Sequence, residues 1–137
     1  MSEFEVVTSG DVLPSPMRGD RPDGRVLRVG AVQCAWADDP VAMAERVRDG
    51  VTTAVSAGAT IVFLQELTLA PYFCSSPDVE DAVHRFGEDL ETGPTVSLLR
   101  SLAVELGVAV HGSLYERTAD GRGFNTAVCV DANGVLV

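Results

Sequence analysis

A chain of 137 residues has room for one domain and not comfortably for two. With 46% apolar and 22% charged residues and a mean hydropathy of +0.17, it is composed for a packed core rather than for disorder. Twenty acids against ten basic residues set the net charge at −10, which argues against a nucleic-acid binder or a membrane-surface module, since both need basic patches.

Residues 1–25 are rich in Pro, Gly, Asp and Ser, lack periodicity, and read as a flexible leader. Val26–Cys34 is nearly continuous in apolar character, as a buried strand should be. Asp39 then stands as an N-cap with Pro40 at the first helical position, where its missing N–H costs nothing. Val41, Ala44, Val47, Val51 and Ala54/Val55 recur at helical spacing and predict the inward face, leaving Glu45, Arg46, Arg48 and Asp49 outward. Gly58 is the stop signal, while Gly50 inside the helix costs roughly 1 kcal/mol against Ala and makes the helix depend on tertiary packing.

Thr60–Gln65 is a second short apolar run, so strand, helix and strand follow one another as a βαβ unit with parallel strands. A second helix is predicted over Pro94–Leu106, with Leu98, Leu99, Leu102 and Leu106 inward and Gly107 ending it. Strands at Val108–Tyr115 and Phe124–Asp131 follow, separated by a turn at 120–123. Asn133-Gly134 is a strong hairpin signal, after which Val135–Val137 begins what reads as another strand. An apolar strand start needs a partner for its backbone and side chains, so the sequence is expected to be the front part of something longer.

Other features carry less. Asp78 to Glu91 holds six acids and one arginine; a solvated face is the ordinary reading, and a site for a cationic partner the sharper one. Cys34, Cys74 and Cys129 are odd in number and widely spaced, and His84 and His111 are isolated, so neither a disulfide framework nor a metal site follows. No run reaches signal-peptide or membrane-span character, which gives a soluble, cytoplasmic default. The phosphate-cradling patterns GxGxxG and GxxxxGK[ST] are absent.

In an α/β sheet reactive groups gather at the carboxyl ends of strands. Glu66 follows Ile61–Gln65 directly, and burial there would raise its pKa toward a value useful for a general base. A strand-end glutamate that turns into solvent or caps the next element is the alternative. Glu116 occupies the same kind of position after Tyr115, though Arg117 and the following turn suit an ordinary hairpin edge. Trp36 and Tyr72 are candidate pocket walls or plain packing aromatics. Cys74 lies on a loop eight residues after Glu66 with no neighbouring base, and a buried unreactive cysteine is the commoner case; Cys34 and Cys129 read as small hydrophobes.

Six pieces in register then carry a resemblance: Arg28-Val-Gly-Ala-Val-Gln33, FLQEL at 63–67, PYFC at 71–74, Gly93-Pro94 before a helix, SLYE at 113–116, and Phe124-Asn-Thr126. Together they resemble the nitrilase (carbon–nitrogen hydrolase) superfamily, within it the N-carbamoylputrescine amidase and β-ureidopropionase branch. The resemblance implies that residues 26–137 are the N-terminal part of an α-β-β-α sandwich whose catalytic set is a glutamate, a lysine and a cysteine. Glu66 matches that glutamate, the general base; Glu116, and with it Tyr72, would support the site. Cys74 is the last letter of the PYFC pattern, and none of the three cysteines matches the nucleophile. All ten basic residues are arginine, so no lysine is present.

The implied activity is hydrolysis of a nonpeptide C–N bond in a small-molecule amide or N-carbamoyl substrate, with ammonia released. No metal or organic cofactor is implied, nucleic acid and membrane are not expected partners, and the complete enzyme is expected to be a homo-oligomer. With one catalytic residue of three, the 137 residues alone are expected to be inactive and to aggregate or order only in part. The competing reading is a non-catalytic α/β module used for binding or complementation.

Overall fold

The computed structural model describes residues 4–9, 27–75 and 81–137. Most of the expected leader, and Asp78 and Glu80 of the acidic stretch, lie outside them. The elements run β1 (Val29–Ala31), α1 (Pro40–Ser56), β2 (Ile61–Phe63), a 3-10 turn (Phe73–Ser75), α2 (Ala82–Phe86), α3 (Pro94–Leu106), β3 (Ala109–Arg117) and β4 (Gly123–Val130). The sheet has the order β1-β2-β3-β4, with the first two pairings parallel and β3–β4 antiparallel. This is the mixed α/β architecture expected, with the βαβ unit at its start.

The caps behave as the sequence requires. The Asp39 carboxylate accepts the Ala42 N–H at 2.8 Å and Pro40 opens α1, while Gly107 closes α3 with φ +66°. The buried face of α1 differs from the expected one. Met43, Val47, Gly50 and Val51 point inward, whereas Val41 is 66% exposed. Residues 43, 47, 50 and 51 form an i, i+4, i+7, i+8 stripe, and Val41 stands about 200° round the helix from Met43. Gly50 has a packing reason: a Cβ there would run into Val32 and the ring of Phe4. Phe4 lies within the segment expected to be a leader, and it packs, half-buried, against the core.

β1 and β2 are shorter than their apolar runs because they pair over only three residues each. Val62, Val110, Leu114, Val128 and Val130 turn to one face of the sheet, where α1 and α3 cover them with Met43, Val47, Val51, Val96, Leu99 and Leu102. Gly112 in β3 belongs to this face and lets α3 approach, since a Cβ would stand 2.9 Å from Leu99 Cδ1 and 3.0 Å from Thr68 Oγ1. At the end of the chain the expected hairpin is present. Asp131 N donates to Val135 O at 2.8 Å, and Val137 N donates to Cys129 O at 2.9 Å. Among the described residues no helix is long and apolar enough to cross a membrane.

Candidate active site

β3 is the axis of the site because its partner on one side changes along its length. Ala109 to His111 pair with β2. Beyond Phe63 the chain peels away, yet Leu64 N still donates to His111 O and Thr68 N to Ser113 O, at 2.9 and 2.8 Å. The Thr68 hydroxyl stands in for a strand carbonyl and accepts Ser113 N at 3.1 Å. Further along, Glu88 takes over the vacated edge: its N–H donates to Tyr115 O and its carbonyl accepts Arg117 N, both at 2.8 Å. Residues 65–68 therefore leave the sheet at its carboxyl end and open a split beside β3, and Glu66 emerges at that split.

Local backbone and side-chain bonds hold this departure in place. Leu67 adopts φ +51°, a left-handed conformation that costs a branched residue about 1–3 kcal/mol and persists only where the surroundings enforce it. Leu67 is 1% exposed, and its N–H donates to Ser113 Oγ at 3.3 Å. Gln65, just before Glu66, is fixed by Cys34, whose backbone N–H and thiol donate to Oε1 at 2.9 and 3.3 Å. Burial pushes the Cys34 thiol up, against the opposing effects of the Arg46 charge and the Gln65 hydrogen bond. Cys34 is thus a protonated donor at neutral pH.

Glu66 itself is exposed, so of the two readings its position left open the solvent-facing one holds. β2 ends three residues earlier, so the side chain stands beyond the sheet rather than within it. The carboxylate is nevertheless held: Asn125 Nδ2, at the start of β4, donates to Glu66 Oε1 at 2.5 Å. Ser113 Oγ donates to Asn125 Oδ1 at 3.1 Å. That bond fixes which end of the amide faces Glu66, since the oxygen is taken and the NH2 group is left for the carboxylate.

The other expected residues fall elsewhere. Glu116 is half-buried, and its Oε2 accepts the Thr126 hydroxyl at 2.8 Å. Tyr72 is 55% exposed, and its carbonyl accepts the Ser75 hydroxyl at 2.9 Å. Neither Tyr72 nor Trp36 is a packing aromatic: Trp36 is 37% exposed with its indole N–H on Asp38 at 2.9 Å. Phe73 is the aromatic that packs this loop, stacked on Phe86 at 5.1 Å and edge-on to Tyr115 at 4.9 Å. Cys74, expected to be buried, is exposed because the 3-10 turn puts it on the outside.

The described acids of the charged stretch are engaged locally. Glu88 accepts Thr95 N and Thr95 Oγ1 at 2.8 and 2.7 Å, securing the first turn of α3. Asp89 is held below the usual carboxylate range chiefly by the Thr92 hydroxyl, then by the Thr92 and Glu91 amides. Glu91 pairs with Arg100 at 2.9 Å. Among the described residues no three His, Cys, Asp or Glu side chains converge as a metal site. A cleft between residues 4–9, β1 and α1 contains none of Glu66, Tyr72 and Glu116.

Ser113 and Asn125 entered the sequence reading only as letters of the SLYE and Phe124-Asn-Thr126 motifs, and Thr68 was not singled out. Ser113 and Thr68 carried a signal as polar residues set in apolar segments, which need partners when buried, whereas Asn125 is exposed and carried none of that kind.

A parallel β1-β2-β3 core with an antiparallel β4, and a carboxylate at the exit of β2, make a mixed α/β scaffold with an ionisable side chain at the carboxyl end of its parallel strands. The carbon-nitrogen hydrolase family model matches residues 28–137, and the chain belongs to that family. It is 36% identical over 113 residues to the N-carbamoylputrescine amidase of Solanum lycopersicum, an alignment covering 80% of this chain and 36% of that protein. The corresponding amidase of Solanum tuberosum is 37% identical, with the same coverage. Among solved structures, a carbon-nitrogen hydrolase from Helicobacter pylori G27 superimposes with a TM-score of 0.71 at 26% identity, over 80% of this chain and 37% of that one. The chain thus spans little more than a third of the length of these relatives.

Proposed function

We propose that this chain carries the general-base segment of a cysteine-dependent amidohydrolase that cleaves a nonpeptide C–N bond in an amide or N-carbamoyl amine. The observation that carries the reading is Glu66 at the exit of β2, at the split in the sheet, with Asn125 of β4 on its carboxylate. Kinship with N-carbamoylputrescine amidases supports the substrate class.

In this reading Glu66 takes the proton of a cysteine thiol as the sulfur attacks the carbonyl carbon. The proton passes to the departing nitrogen, ammonia leaves, and an acyl thioester remains. Glu66 then takes a proton from water as its oxygen attacks the thioester, and returns that proton to the sulfur. A lysine would stabilise the oxyanion of each tetrahedral intermediate. These 137 residues contain no lysine, the Cys34 thiol is bonded to Gln65, Cys74 is exposed on the 3-10 turn and Cys129 is set within β4, so this stretch by itself is proposed to be inactive.

The test is ammonia release from N-carbamoylputrescine and from a simple aliphatic amide by the protein of the whole reading frame. Glu66→Gln should lower kcat by roughly 10²- to 10⁴-fold, the range that general-base catalysis contributes. Undiminished release by Glu66→Gln, or release by the 137 residues alone that this variant removes, would sink the respective half of the proposal.

A further inference from the structure

We propose that Asn125 is the positioning residue for Glu66, and that Ser113 sets its direction. The inference rests on the reading of Glu66 as the base. It starts from a difficulty: Glu66 is exposed and stands three residues past the end of β2, where no sheet pairing restrains its side chain. A base must stay within hydrogen-bond reach of the proton it takes, and an unrestrained glutamate samples several rotamers.

The structure supplies the restraint from 59 residues away, across two strands. Asn125 Nδ2 donates to Glu66 Oε1, and Ser113 Oγ donates to Asn125 Oδ1. Ser113 is 7% exposed and accepts Leu67 N, so one hydroxyl ties together the backbone just after Glu66 and the amide that grips its carboxylate. The left-handed Leu67 turns the chain at this point, and Ser113 holds both consequences of the turn. Only one Glu66 oxygen is engaged by this bond, which leaves Oε2 for the proton in flight. An amide suits the task because it donates a hydrogen bond while carrying no charge and giving up no proton of its own.

Three variants test this in the purified full-length protein. Asn125→Ala should lower kcat roughly tenfold to a hundredfold, the scale of a misplaced catalytic group, with KM within about twofold. Asn125→Asp keeps the shape but loses the donor, and should be at least as impaired; activity retained by that variant would show a space-filling role and overturn the proposal. In a Glu66→Gln background, Asn125→Ala should add no further loss, because the two act as a unit. An independent additive loss contradicts the proposal.

A readout that needs no turnover accompanies these. The side-chain amide proton signal of Asn125 in NMR should lie downfield in the wild type and move in both Glu66→Gln and Ser113→Ala. A signal unchanged by Glu66→Gln overturns the proposal whatever the kinetics show. Full activity in Glu66→Gln, by contrast, would remove the underlying reading of Glu66 and this inference with it.

Discussion

The two faces of the sheet are made from similar residues and meet different fates. On one, Val62, Val110, Leu114, Val128 and Val130 are at most 5% exposed beneath α1 and α3. On the other, Val29 is 57% and Phe63 38% exposed, Ala31 and Ala127 are open, and His111 and Cys129 are half-buried. Phe63 leans on the His111 ring at 4.9 Å, and His111 Nδ1 is buried without a hydrogen-bond partner. A sheet meant to face water on one side alternates apolar and polar residues; here the open face keeps Val29, Ala31, Phe63, Ala127 and Cys129 on it, with polar Ser113 and Asn125 confined to the end where Glu66 emerges. Parallel strands of this composition belong to sheets covered on two faces, so the sequence specifies more burial than the described residues provide.

Substitutions on the two faces can break or sharpen that comparison. The largest effect is expected on the covered face: Leu99→Ala, at a fully buried site, should cost about 2–5 kcal/mol in denaturant unfolding. Gly112→Ala should follow at about 1–3 kcal/mol, because the added methyl must displace Leu99 or Thr68. It would also disturb the Thr68–Ser113 bond and so the support of Glu66. On the open face Phe63→Ala should cost less, about 1–2 kcal/mol, since over a third of the residue is already in water. A loss matching that of Leu99→Ala would mean that this face is covered in solution, and the contrast between the faces would fall.

The smallest effect is at the edge of β4. Asp131 is held below its ordinary value chiefly by the Val135 N–H, then by Asn133. Its folded form therefore binds a proton less readily than the unfolded chain. The support it gives the hairpin is present above the ordinary aspartate range and is lost as pH falls through the depressed value. The Val135 amide resonance should follow this titration in the wild type and stay flat in Asp131→Asn. Because the group is solvated, global stability should hardly respond.

Much of the fold was legible because its signals are local. Asp39-Pro40, Gly107, Asn133-Gly134 and the apolar runs each act within a few residues, and the structure uses all of them. The departures came where a neighbour decides. Val41 yielded its place to Met43 because the inward stripe depends on where β1 and β2 lie. α2 and the 3-10 turn escaped notice because they are short and are held by Phe73 packing on Phe86 and Tyr115.

The sequence by itself determined the order of strand and helix, the caps and turns, the family, and the placing of a glutamate at the exit of β2. Each follows from the chemistry of neighbouring residues or from motifs kept in register along the chain. Only the tertiary structure decided that Glu66 stands exposed and that Asn125 and Ser113 grip it. Those contacts depend on the register of β3 against β4, in which Tyr115 faces Asn125; a slip of one residue would turn Asn125 to the other face. The turn at 118–122, closed by Thr118 N on Arg122 O, sets that register locally, but bringing residues 65–67 beside it depends on how the buried valines and leucines of the covered face pack against α1 and α3.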